Sequence, residues 1–126
     1  MTRDGRRRAH RRGLRGETLA VWFLRLKGYR ILARRLRSAV GEIDVVAARG
    51  GTVAVIEVKA RPDAAAAAEA VSPRQRARIA RAARLFLAGR PEFAGHALRF
   101  DLVLVSPGRW PRHVLDAWRA HGEAME

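Results

Sequence analysis

Residues 41–60 read GEIDVVAARGGTVAVIEVKA, and the fold turns on how this stretch is read. Two runs rich in valine, isoleucine and alanine flank Gly50-Gly51, where both positions can take positive φ without a Cβ penalty. The spacing predicts a β-hairpin with a two-residue loop. Arg49 then faces Thr52, Asp44 faces Glu57, and Glu42 faces Lys59. Alternation of side chains gathers the four charges Glu42, Asp44, Glu57 and Lys59 on one face of the sheet. Ile43, Val45, Ile56 and Val58 fill the other. A slip of one residue, most simply through a three-residue loop with a bulge, would separate the two strands' charges.

Two carboxylates directly opposite hold their Cβ atoms about 5 Å apart. At an effective dielectric of about 20 they repel by about 3 kcal/mol. A shared proton, basic neighbours or a bound cation must offset that. Mg²⁺ and Mn²⁺ are hard ions held by carboxylates together with phosphate oxygens and water, so Asp44 and Glu57 form a candidate metal clamp. Only two of the 26 basic residues are lysine, and Lys59 is one of them. An ammonium can orient or deprotonate water or meet phosphate charge, whereas a guanidinium does not lose its proton. A plain ion pair with Glu42 is the alternative.

Working outward, Glu17–Lys27 has helical periodicity, with Gly28 placed to stop the helix. Glu17 heads the apolar stripe of Ala20, Val21 and Leu24, so it is either a core-side carboxylate in need of a partner or a first-turn acid favoured by the helix dipole. Tyr29–Leu36 predicts a short strand and RPDAAAAAEA at 61–70 an alanine-rich link with room for a helical turn. Ser72 and Pro73 open a helix that Gly89 ends. Gln75 shares a stripe with Ile79, Ala82 and Phe86, and is either site-lining or the far half of a capping box with Ser72. Leu98–Val105 predicts a strand, and 109–121 a last short strand with a helical turn. The order is αβββαβ, a single mixed α/β domain at 16–126 behind a basic arm at 1–15, for which disorder is the expectation.

Seven arginines fall in the first 15 residues, and the whole chain carries a formal net charge of +14. Such a balance on one small domain points to a polyanion, nucleic acid first, with a high-arginine composition as the bland alternative. Arg74, Arg78 and Arg81 share one face of the second helix, where they form either a phosphate-facing ridge or a solvated face. Arg34, Arg35 and Arg37 precede the acidic hairpin and are candidates for the same groove. Asp101 is expected to pair with Arg99. Trp22, Trp110 and Trp118 are expected in core or lid packing, and His10, His96, His113 and His121 at the surface. There is no cysteine, hence no disulfide, thiolate zinc site or cysteine nucleophile. No apolar run of membrane-spanning length and no secretory leader is seen, so a cytoplasmic protein without a membrane partner is expected.

The pattern D-x₁₂-E-x-K resembles the core of PD-(D/E)xK nucleases, the restriction-endonuclease-like proteins. More closely, Gly16-Glu17, Gly28-Tyr29, GEIDVVA at 41–47, VIEVKAR at 55–61 and RFDLVLV at 99–105 resemble the YraN family of small bacterial proteins with a predicted nuclease fold. The similarity covers about residues 14–120. It implies a restriction-endonuclease-like domain in which Asp44, Glu57 and the backbone carbonyl of Val58 hold Mg²⁺ or Mn²⁺. Lys59 is then the catalytic lysine, and Glu17 an acid brought to the metal. Two departures stand out: Gln75, where that family commonly has lysine, and PDAAAAAEA, where it often has a glycine-bearing loop. The expectation is a metal-dependent nuclease on structured or branched DNA rather than RNA. A non-catalytic nucleic-acid-binding module is the alternative, and a homodimer stays open.

Overall fold

A computed structural model describes residues 16–60 and 63–119. The basic stretch 1–15 lies outside the described residues, as does the chain from residue 120 on; of the strand and helical turn expected over 109–121, the described part forms a strand and no helical turn. Within them the chain forms helix α1 (16–26), strands β1 (Arg30–Arg37), β2 (Glu42–Arg49) and β3 (Thr52–Lys59), helices α2 (Ala64–Glu69) and α3 (Pro73–Ala88), a 3₁₀ turn at Pro91–Phe93, and strands β4 (Ala97–Leu104) and β5 (Arg112–Trp118). The five strands lie in sequence order, β1-β2-β3-β4-β5. Every neighbouring pair is antiparallel except β3 and β4, which run parallel. A parallel pair needs a crossover, and α2 and α3 supply it.

Local chemistry sets the boundaries. Gly28, at φ +89°, ends α1 while the Tyr29 amide reaches back to the Leu24 carbonyl at 3.0 Å. Asp63 caps α2 through the Ala65 amide (3.0 Å), and Ser72 caps α3 through the Gln75 amide (3.1 Å), with Pro73 in the first turn. The hairpin forms as expected, with Arg49 opposite Thr52 and Val45 opposite Ile56. Only Gly50, at φ +57°, uses the glycine freedom.

The sheet carries helices on both faces. Ala20, Val21 and Leu24 of α1 pack with Val45, Ala47, Ala54, Ile56 and Val103. On the other face Ala67 of α2 and Ile79, Ala82 and Ala83 of α3 pack with Val46, Val53, Val55 and Leu102. Central strands covered on both sides need apolar residues at nearly every position, which is why β2 and β3 read as continuous valine-rich runs. The expected single apolar face is corrected here. Val45, Ile56 and Val58 do face α1, but Ile43 joins the cluster under α3. The tryptophans also divide. Trp118 is buried and stacked on Phe100, whereas Trp22 and Trp110 are 60% and 79% exposed rather than packed.

Candidate metal and phosphate site

The change of face in β2 has a visible partner in β1. Arg34 pairs with Val45 and Leu36 with Ile43, and between them Arg35 takes φ +49°, left-handed backbone that a non-glycine residue rarely adopts. Adjacent strand residues ordinarily point to opposite faces. With Arg35 turned, Arg34 and Arg35 both reach one carboxylate, Glu17 of α1, through Nε atoms at 3.3 and 3.4 Å. Left-handed non-glycine backbone costs of order 1–3 kcal/mol and persists where its surroundings over-determine it. Here the ion pair to a buried acid is one such tie.

β2 and β3 part at the same level. The last paired positions are Val45 and Ile56. Beyond them the amide of Val58 donates to the Asp44 carboxylate (Oδ2, 2.8 Å). β3 stays paired with β4 through Lys59 and Leu104, so it is β2 that leaves. The opening between the strands is where Asp44, Glu57 and Lys59 act on one another.

Glu57 is 5% exposed, and its Oε1 has no hydrogen-bond partner among the described residues. Burial, then the charge of Asp44, pushes its carboxyl up to about 8, against a smaller downward pull from Lys59. Asp44 is raised as well, by burial, with the Val58 amide and Lys59 acting the other way. Two buried carboxyls this close cannot both ionise without repulsion, so the charge of Asp44 favours a proton on Glu57. Burial also raises Glu17, partly offset by Arg34 and Arg35, and Asp44 adds to the rise. Three acids thus hold their protons more tightly than free carboxyls, because too little positive charge reaches them to cover the desolvation.

Asp44, Glu57 and Lys59 lie within reach of one another, but not as the expected cross-strand pair, because the strands part before Asp44 can face Glu57. Glu42 does not join them. It is exposed and faces Arg37 at 3.9 Å, so the expected Glu42–Lys59 pair is replaced. Arg34 and Arg35 turn to Glu17 rather than outward to a groove. Among the described residues no three Asp, Glu or His groups stand ready as a metal cage. Two carboxylates and a backbone carbonyl fit a hard divalent ion that keeps its remaining positions for water and phosphate oxygens, and the unsatisfied Glu57 oxygen supplies a donor.

Beside the parting strands a cleft of about 820 Å³ runs between the β1–β2 connection and α3. Ser38, Glu42, Ser72, Gln75 and the guanidinium-bearing Arg74, Arg78 and Arg81 line it. Gly41 forms its wall so closely that a Cβ there would stand 2.9 Å from the Arg78 carbonyl oxygen. The arginine ridge and Gln75 thus share one cleft with Glu42, two positions before Asp44 in β2. Arg76, between them in sequence, turns away to the carbonyls of Val71 and Ala68.

A second polar network lies on the α1 side. Asp101 is fully buried; Arg99 grips both its oxygens at 2.8 and 2.9 Å, and the Asp116 amide donates at 2.9 Å. His113 Nε2 completes it at 2.8 Å. Burial pushes the Asp101 carboxyl up, but these donors outweigh it and hold it below the ordinary range. The Asp101–Arg99 pairing is as expected. His113 corrects the sequence reading, since its side chain is 2% exposed rather than at the surface. The signal was available in the alternation of β5, whose Val114 lies opposite Leu102 of β4, but a single histidine in a seven-residue strand carries little weight.

Residues 16–105 match the family described as Uncharacterised protein family UPF0102. A UPF0102 protein of Parvibaculum lavamentivorans is 60% identical over 111 residues, covering 88% of this chain and 84% of its own. One from Chelativorans sp. is 53% identical over 118 residues, covering 94% and 95%, and one from Methylorubrum extorquens is 54% identical over 117, covering 93% and 91%. Matched along most of its length on both counts, the chain belongs to the UPF0102 family.

Proposed function

We propose that this chain is a metal-dependent phosphodiesterase of nucleic acid, built on a restriction-endonuclease-like fold of the YraN kind. One observation carries the reading: a buried, unpartnered Glu57 oxygen lies beside Asp44 and Lys59 where two strands separate. A structural ion pair would leave no orphan oxygen, since an unmet buried acceptor costs about 1–3 kcal/mol. A ligand that completes it makes the arrangement intelligible.

Asp44 and Glu57, with the Val58 carbonyl, would hold Mg²⁺ or Mn²⁺, which supplies Lewis-acid polarisation of the phosphate and a more acidic bound water. The chain's own residues do the rest. Asp44 is fixed by the Val58 amide and so presents its other oxygen in a set direction. Lys59, one strand position beyond Val58, orients the attacking water and meets charge on the phosphate. Arg74, Arg78 and Arg81 line the adjoining cleft and suit a phosphate backbone. Glu17 stays with Arg34 and Arg35, and acts on Asp44 through space. Structured or branched DNA is the preferred substrate by analogy of fold.

The test is cleavage of labelled single-stranded, duplex, flap and four-way DNA, and of RNA, with Mg²⁺, Mn²⁺ or EDTA. Cutting that needs metal and disappears in Asp44→Ala and Lys59→Ala, with binding retained, is the expected result. Tight binding with no cutting, unchanged by Asp44→Ala, refutes catalysis and favours the second reading, a nucleic-acid-binding module. That reading draws on the two arginines already neutralising Glu17.

A further inference from the structure

Lys27 closes a chain of polar contacts that the phosphodiester reading does not use. Its Nζ lies 2.6 Å from Nδ1 of His113, whose Nε2 lies 2.8 Å from Asp101 Oδ2. Asp101, gripped by Arg99 and the Asp116 amide, is ionised and only accepts. Nε2 must therefore carry the imidazole hydrogen, which leaves the Nδ1 lone pair aimed at the lysine. The Tyr29 ring stands edge-on to the imidazole with centroids 5.7 Å apart, and the Tyr29 hydroxyl accepts from Arg99 at 2.7 Å, so the ring cannot readily turn.

The setting of the amine is unusual for a basic surface. Lys27 is half-buried at the end of α1, with Phe23 at 5.5 Å from Nζ. Burial, then the positive charge of Arg49, lowers its affinity for a proton; Asp101 pulls the other way, and Arg99 adds a lesser downward push. A lysine beside other cations, with a base in hydrogen-bond reach and a carboxylate behind that base, has the parts of an activated nucleophile.

We propose that Lys27 is a nucleophilic amine and a site of N-acylation by small acyl phosphates. The Lys27 ammonium passes one proton to His113 Nδ1, and the imidazolium is matched by Asp101. The freed nitrogen lone pair attacks the acyl carbon, forming an N–C bond. The C–O bond to phosphate breaks, inorganic phosphate leaves with its electron pair and takes the proton held by His113, and the remaining excess proton on nitrogen goes to solvent. The product is a neutral amide. One positive charge is lost, and no oxidant or reductant is required.

The chain's only other lysine is Lys59, so site occupancy can be read cleanly by peptide mass spectrometry. The full chain is incubated with acetyl phosphate in the presence of a free lysine amide as internal reference, folded and in urea. Lys27 acetylated several-fold faster than the reference when folded, and at the reference rate in urea, is expected. Lys27 at or below the reference in the folded chain overturns the proposal, whatever happens at Lys59. His113→Gln should return Lys27 to the reference rate with an unchanged circular dichroism spectrum, and an undiminished rate in that folded variant overturns the relay. If His113→Gln does not fold, Arg49→Gln decides: slower acetylation of Lys27 supports the cationic setting, and no change refutes it.

Discussion

Replacing Glu57 with glutamine should make the protein more stable in alkaline solution and remove most of its dependence on pH. The carboxyl is raised from 4.5 to about 8 in the folded chain by burial and by Asp44. A group raised on folding contributes its stability in full below the unfolded value and loses it as pH rises through the folded one. The window is therefore pH 4.5 to 8. At about 1.4 kcal/mol for each pH unit between the two values, the loss approaches about 5 kcal/mol. That figure is a ceiling belonging to the Asp44–Glu57 pair, because the charge of Asp44 acts on Glu57 and the two titrate together. Glutamine keeps the shape and has no charge to lose, so its curve should lack that fall. The assay is urea denaturation of both proteins with EDTA at intervals from pH 5 to pH 9. The difference between wild type and Glu57→Gln cancels the contribution of Glu17, which both proteins carry. Saturating Mg²⁺ should flatten the wild-type curve and leave the variant unmoved. Parallel curves for the two proteins, separated by a constant, would refute the account of Glu57 as a buried, proton-holding acid.

Gly41→Ala should cost about 1–3 kcal/mol in the same denaturation assay, because the new Cβ meets the Arg78 backbone oxygen at 2.9 Å and neither side can yield without moving the helix or the loop. An unchanged midpoint would show that the β1–β2 connection adjusts freely. Asp101→Asn should destabilise by about 3–5 kcal/mol, since Arg99 is left charged and unmatched in a part-buried site. A loss under 1 kcal/mol would mean that water already serves the network. If the arginine-lined cleft takes a phosphate backbone, Arg78→Ala should lower the slope of log affinity against log salt by about one counterion, equally for different DNA sequences. A preserved slope in a titration across salt concentrations would remove Arg78 from the interface.

Local signals carried far in this chain. Gly28 and Gly89 mark helix ends, Ser72-Pro73 marks a start, and Gly50-Gly51 fixes a hairpin whose register was legible because a two-residue loop leaves one pairing. Each of these depends on a few adjacent residues and on backbone stereochemistry, which a sequence states directly. The Asp44–Glu57–Lys59 constellation followed from that register. It misjudged Glu42 and Ile43, because alternation was carried through a point where the strand turns. Nothing in LARRLR announces that Arg35 will be left-handed, as that conformation is held in part by Glu17 at the start of the preceding helix.

The sequence by itself determined the elements, the hairpin pairing, and the gathering of two acids and a lysine on a strongly basic domain. Only the tertiary structure decided that β2 leaves β3 after Val45, that Glu17 is held by two consecutive arginines, and that His113 lies between Asp101 and Lys27. These facts concern charges with several eligible partners. With arginine so abundant, many pairings satisfy a carboxylate equally well on paper. Burial selects among them, since an unmatched charge is expensive only where packing has removed water.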